Sequence, residues 1–312
     1  MTPKPVVPAA SRTLEMDFPG LSIGWAEYDE GPTGCTVFLF HRGWTMSIDK
    51  AGGMVGTTGD YDWAHALCFA GGSLLGLEAA SGVVAHLFAS KDYSTNHIPL
   101  VNGAIIWDYV GRSNTVYPDK ELGRAAAAAA VEGTVPLGRR GAGRSATVGK
   151  MRFPAEPGGQ GAAFREFRGV RILVVTVVNA VGALIDREGR VVRGNRNPAT
   201  GERRRSIDLL APGQVVTAPP EPNRPTQNTT LTAVITDAKL TAGQLKQFGR
   251  QVHTSMSRAI DPFQTSTDGD TLFAVTSNQV EIAGPQVTPD LLGMVASEVA
   301  WDAVLSIAED PV

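Results

Sequence analysis

The sequence of 312 residues has only two cysteines, Cys35 and Cys68. Two thiols make neither a disulfide scaffold nor a four-thiolate zinc site, and their apolar neighbours mark them as core residues of a protein kept reduced. Five histidines (His41, His65, His86, His97, His253) show no metal-ligand spacing. His65 and Cys68, three apart, would share a helix face, yet no third or fourth ligand joins them. No metal and no other cofactor is expected. Charge is sparse as well: 19% of residues are charged and the net charge is −3, which gives no electrostatic basis for a nucleic-acid partner. Gly or a charged residue breaks every apolar stretch before the roughly 18–20 residues that span a bilayer, so no membrane partner is expected. The start, Met1-Thr2-Pro3-Lys4-Pro5, lacks the apolar run of a secretory signal and predicts a cytoplasmic protein.

Two nucleotide or metal motifs are approached and missed. In Gly138–Lys150, five residues separate Gly143 from Gly149 where a phosphate loop has four, and Met151 replaces the magnesium-binding Ser or Thr. Asp268-Gly269-Asp270 resembles part of a calcium loop but has no Glu at the required spacing.

The 43% apolar content and the order of elements predict an α/β fold in one layered domain. Leu21–Glu27 and Thr36–Phe40 read as strands around the turn Asp29-Glu30-Gly31-Pro32. Ala70–Phe88, rich in small residues, reads as a buried helix packed closely on a sheet. Ala104–Tyr109 reads as a strand, and Asp119–Val131, with six consecutive alanines, as a helix. Val170–Val178 is a β-branched run suited to a strand covered on both faces, and Val181–Val192 reads as a hairpin at the sheet centre. Asn195–Gln227, with six prolines, predicts a long surface loop that holds a cleavage site in the open. Leu231–Thr236 and Thr271–Thr276 read as strands. Thr241–Ile260 reads as a helix with a Thr241/Gln244 capping box and an inward face of Leu245, Phe248, Val252 and Met256. Thr288-Pro289 starts a last helix to about Ile307.

Chemistry concentrates at Asn228-Thr229-Thr230, between the Pro-rich segment and a strand. An Asn-Thr pair is ordinarily a turn entering a strand. In this context it also suits a chain that cuts itself before Thr229, the hydroxyl attacking the preceding carbonyl in an N→O acyl shift that water resolves. The freed Thr229 would carry its own base, because an α-amine titrates at about 7.7–8.0. Asp268 and Asp270 would divide acid and base work if folded against Thr229, with their pKa values pushed apart by proximity. Lys150 is either a surface lysine or an ammonium beside the nucleophile, and Asn179 either a turn former or a donor to a tetrahedral intermediate.

Several blocks together carry a family resemblance: Asp17-Phe18-Pro19-Gly20-Leu21-Ser22-Ile23-Gly24, Glu30-Gly31-Pro32-Thr33-Gly34, Val116-Tyr117-Pro118-Asp119-Lys120, Gly159-Gln160-Gly161-Ala162-Ala163-Phe164-Arg165, Asn228-Thr229-Thr230 and Asp268–Val275. From about Met16 to Leu305 the chain resembles nylon-oligomer endohydrolases, in the L-aminopeptidase/D-esterase group of N-terminal-nucleophile hydrolases. The resemblance implies an α-β-β-α sandwich, two stacked sheets flanked by helices, processed between Asn228 and Thr229 into pieces 1–228 and 229–312. It also implies Thr229 as nucleophile, Asp268 and Asp270 as acidic partners, Lys150 and Asn179 lining the site, and a tetramer of processed units. Trp107 stands where the family has a Tyr, which replaces a hydroxyl in the substrate region with an N–H that only donates. The expected activity is hydrolysis of 6-aminohexanoate oligomers within the chain. The competing expectations are an aminopeptidase/D-esterase acting on short peptides and a non-catalytic binding protein with a decayed site.

Overall fold

The computed structural model describes residues 3–109, 114–210, 228–282 and 284–309. Its main sheet opens with β1 (Leu21–Tyr28) and β2 (Thr33–Lys50), antiparallel across the expected turn. β2 runs for 18 residues rather than stopping at Phe40. At Arg42 and Gly43 φ is 64° and 78°, and the pairing register shifts between Leu39 and Trp44. This bend lets one strand serve both halves of the sheet.

In the first half, β2 pairs with β3 (Trp63–Ala70), and β4 (Val101–Ile105) runs parallel to β3. β4 ends at Ile105, so residues 106–109 lie beyond the strand predicted to contain them. His65 and Cys68 lie on β3, where residues three apart point to opposite faces rather than sharing a helix face. In the second half, β5 (Gly159–Phe167), β6 (Val170–Asn179), β7 (Thr229–Ala238) and β8 (Thr271–Val280) lie side by side. β6 and β7 are antiparallel, β7 and β8 parallel, and Thr271–Thr276 of β8 pairs with Thr45–Lys50 of β2.

Strand alternation separates three cores. Leu173, Val175 and Val177 of β6, Leu231, Ala233 and Ile235 of β7, and Phe273 of β8 face Phe38, Leu67 and Phe69 of the other half. The intervening residues Ile172, Val174 and Val178 turn the other way, with Val234, Leu272 and Ala274, against α3 (Ala242–Ser255) and α4 (Pro289–Ala308). Behind the first half, Val37, Ala66 and Cys68 pack on α1 (Glu78–Ala89) and α2 (Lys120–Ala128). The layers are therefore α-β-β-α. Each fully buried Val, Leu, Ile or Phe in these cores contributes about 1.5–3 kcal/mol, which favours this register over a one-residue slip.

The helices follow their sequence signals, with two differences. Thr241 and Gln244 form the reciprocal capping box, and Leu245, Phe248, Val252 and Met256 are all buried. Ala70, however, ends β3, and Ser73–Leu77 is a 3₁₀ turn before α1. The small residues serve helix-on-helix contact: a Cβ at Gly82 would lie 2.0 Å from the Lys120 carbonyl, and one at Gly123 1.9 Å from the Ala79 carbonyl. The second difference is α4, which at 20 residues is long and apolar enough by composition to cross a bilayer. Its apolar residues, among them Leu292, Ala296, Ala303 and Ile307, are buried against the sheet and α3, and Asp302 and Glu298 pair with Arg187. Packing accounts for its apolarity.

The Val181–Val192 hairpin forms, but in a separate three-stranded sheet with residues 260–261 and not at the main sheet's centre. Of the predicted surface loop 195–227, residues 211–227 lie outside the described residues. The described part is tethered inward, with Asn195 and Ser206 buried and hydrogen-bonded to each other and Arg203 paired with Glu156.

Candidate active site

Register, not nearness in sequence, assembles the site. β7 begins at Thr229; on one side Thr229 pairs with Asn179 at the end of β6, and on the other Asn228 bridges Asp268 just before β8. Residues separated by about fifty and forty positions thereby converge on one peptide bond.

That bond is inside the protein. Asn228 is 1% exposed and Thr229 0%, so it does not stand in an open loop as the Pro-rich segment predicts. The Thr229 hydroxyl donates to the Asn228 carbonyl oxygen at 2.5 Å and accepts from the Trp107 N–H at 3.4 Å. The same carbonyl oxygen accepts the Gly269 N–H at 3.0 Å. A nucleophile and a backbone donor thus both address the carbonyl of the bond before Thr229.

The two acidic residues are placed beside it in different environments. Asp270 accepts N–H bonds from Thr230 (2.5 Å) and Gln264 (3.0 Å). Burial, reinforced by the charge of Asp268, nevertheless lifts its pKa to about 8. Asp268 accepts the Thr265 amide and hydroxyl on Oδ2, while its Oδ1 is buried without a hydrogen-bond partner among the described residues. A bare buried carboxylate oxygen costs about 1–3 kcal/mol, which makes it an acceptor for any cation formed nearby.

Lys150 also arrives from a distance. Backbone bonds from Gly149 to Gly182 and from Lys150 to Val181 fix its position, and Nζ donates to the Asn179 backbone oxygen and Oδ1, each at 2.9 Å. The residue as a whole is half-buried, but its ammonium end is enclosed, and this burial lowers its pKa to about 7 against the opposing pull of Asp268 and Asp108. Asn179 gives one amide hydrogen to the Trp107 carbonyl at 2.5 Å. It therefore holds the Trp107 peptide, in addition to any donation toward an intermediate. The Trp107 indole N–H is bonded to the Met54 carbonyl at 2.7 Å, so it ties two segments of the protein together rather than pointing at open space. Within the described residues, the structure brings together Thr229, Asn228, Asp268, Asp270, Lys150, Asn179 and Trp107.

The sequence did not reveal the Ala51–Met54 segment, which lies along the acidic loop. Ala51 N–H donates to Asp270 O at 2.8 Å and Met54 N–H to Asp268 O at 3.0 Å. The Gly52-Gly53 pair was its one signal, since Cβ atoms there would fall 2.3 and 2.1 Å from the Asp268 and Ser266 carbonyls. Gly269 is constrained in the same way: its Cβ would sit 2.2 Å from the Met54 carbonyl. Gly269→Ala is expected to push the loop away and remove the N–H from the Asn228 carbonyl; if the chain cuts itself at that bond, cleavage slows by about 10²–10³-fold. Timed denaturing electrophoresis measures this, and cleavage at the normal rate would contradict the assigned contact.

The family model described as Peptidase family S58 matches residues 16–310. The chain is 45% identical to a 6-aminohexanoate-oligomer endohydrolase of Kocuria sp. (strain KY2), covering 98% of this chain and 88% of the relative. It is 46% identical to the enzyme of that name from Agromyces sp. (strain KY5R), covering 96% of this chain and 87% of the relative. Among solved structures, the L-aminopeptidase D-Ala-esterase/amidase of Ochrobactrum anthropi, described as a variant of the Ntn hydrolase fold, superposes with a TM-score of 0.66 at 17% identity, covering 92% of this chain and 83% of that one. A Burkholderia sp. β-aminopeptidase gives 0.65 at 15% identity, covering 96% of this chain and 88% of that one. With the Ntn hydrolase fold and a family match over nearly its whole length, the chain belongs to peptidase family S58 and is a hydrolase of that family.

Proposed function

We propose that the chain cleaves its own Asn228–Thr229 bond, and that the freed Thr229 then hydrolyses amide bonds within 6-aminohexanoate oligomers. The observation that carries this reading is the buried Thr229 hydroxyl, 2.5 Å from the Asn228 carbonyl oxygen, which the Gly269 N–H also addresses. In self-cleavage, Thr229 Oγ1 bonds to the Asn228 carbonyl carbon as its proton passes to a base. The Gly269 N–H stabilises the oxyanion, the C–N bond breaks, and the departing nitrogen takes a proton. The resulting ester is hydrolysed by water to the Asn228 carboxylate and a free Thr229.

Lys150 suits the acid/base role, because its pKa of about 7 lets it exchange a proton at neutral pH. After the cut, the new α-amine lies beside the hydroxyl of its own residue and serves as base, while Asp268 Oδ1 offers an acceptor for its charged form. Substrate attack repeats the first chemistry: the acyl group passes to Thr229 Oγ1, the amine leaves protonated, and water releases the acid. The substrate class rests on the 45–46% identity to endohydrolases named for it. The resemblance also supports assembly of the processed fragments 1–228 and 229–312 into a tetramer.

The test uses linear 6-aminohexanoate oligomers with free and with acetylated amino ends, and chromatography of the products. Internal cleavage of both is expected. Attack on the free-ended oligomer alone, releasing one unit at a time, would replace this reading with an aminopeptidase. No turnover by an uncut chain would leave a binding protein.

A further inference from the structure

Asp108 is a buried carboxylate next to Trp107 that the mechanism above does not use. Its Oδ1 accepts the Gly72 N–H at 2.9 Å, its Oδ2 accepts the Ser145 hydroxyl, and its own N–H donates to Ser73 Oγ at 3.2 Å. Gly71 leaves the room, since a Cβ there would come within 2.9 Å of Oδ2. These contacts fix the end of the 106–109 segment. The neighbouring peptide is the one whose N–H meets Thr229 Oγ1 and whose carbonyl receives the Asn179 amide.

We propose that Asp108 is a positioning residue: its carboxylate, held by Gly72 and Ser145, sets the Trp107 peptide between Thr229 and Asn179, whose oxygens hold the Lys150 ammonium, and so places a negative charge near that ammonium. Asp268 supplies another charge, and Asn179 accepts from the ammonium through its backbone oxygen and Oδ1. The proposal rests on the reading of Thr229 and Lys150 given above. Two separable effects follow. Geometry is lost when the carboxylate is truncated, because displacing a reacting group by about 1 Å costs on the order of 10²-fold. Charge is lost when the carboxylate becomes an amide, and removing a nearby anion makes the Lys150 ammonium easier to deprotonate.

The test separates this proposal from the reading it rests on. In the Thr229→Ala background, which needs no cleavage, lysine side chains labelled with ¹³C are titrated by NMR with and without Asp108→Asn. The amide is expected to lower the Lys150 midpoint by about one pH unit; an unchanged midpoint overturns the charge assignment even if wild-type chain never cuts itself. In the wild-type background, Asp108→Ala and Ser145→Ala are compared for cleavage rate. Asp108→Ala is expected to slow cleavage by about 10²-fold, and Ser145→Ala, which leaves the charge in place, by less and without moving its pH midpoint. Full-rate cleavage by Asp108→Ala overturns the positioning role. If that variant fails to fold, Asp108→Asn decides through the pH midpoint of cleavage, which is expected to fall with that of Lys150.

Discussion

Thr229→Ala is expected to leave a single uncut polypeptide of 32.9 kDa with amide hydrolysis reduced by at least about 10⁴-fold. The proposed mechanism asks one hydroxyl to do two things, to open the Asn228–Thr229 bond and then to carry the acyl group of each substrate. Removing it abolishes both, and no other described hydroxyl bonds to the Asn228 carbonyl oxygen. The substitution is expected to leave the fold intact, since Thr229 sits at the head of a strand whose pairing with β6 is made by backbone groups. Thr229→Ser keeps the hydroxyl and is expected to cut more slowly, because loss of the methyl frees χ1. Electrophoresis and a coupled amine assay read both variants. An Ala variant that is cut and active would remove Thr229 from the chemistry.

Lys150→Arg is expected to slow cleavage by about 10²–10⁴-fold, the span of a lost general acid–base group. Guanidinium stays charged at every usable pH, whereas the buried Lys150 titrates at about 7. Wild-type cleavage is therefore expected to rise as pH increases through 7, and the Arg variant to stay low and flat. Stability follows the same group. Because the folded pKa lies below the ordinary lysine value, the folded chain holds fewer protons than the unfolded chain from about pH 7 to 10.5. The cost of burying the ammonium is thus present in full below about 7 and is relieved as pH rises. Asp270 works in the opposite sense: its folded pKa of about 8 lies above 3.8, so its contribution falls as pH climbs between those values. Denaturant melts of Lys150→Met against wild type would show the gap in favour of the variant narrowing toward high pH. A constant gap would contradict the assignment.

Much of the fold was legible because its signals are local. The β-branched run at Val170–Val178, the Thr241/Gln244 capping box and the Thr288-Pro289 helix start each specify an element within a few residues. The site was legible in a different way. Thr229, Asp268 and Asp270 stand out by residue type and context, whereas Lys150 and Asn179 gained their roles from resemblance to a family. What stayed hidden depends on long-range pairing. That Asn228–Thr229 is buried follows from β7 lying between β6 and β8, which no property of the Pro-rich segment encodes. The Ala51–Met54 strap reaches Asp268 only because β2 continues past its bend to pair with β8. Trp107 shows the same limit: its type suggested a substrate donor, and its indole N–H is bonded to Met54.

Intact mass spectrometry of the purified, active protein, joined to amino-terminal sequencing, tests the self-cleavage most directly. Two polypeptides are expected, residues 1–228 and 229–312, whose masses together exceed that of the whole chain by one water, with the smaller beginning Thr-Thr-Leu-Thr. A fully active preparation containing only the 32.9 kDa chain with its original amino terminus would contradict it.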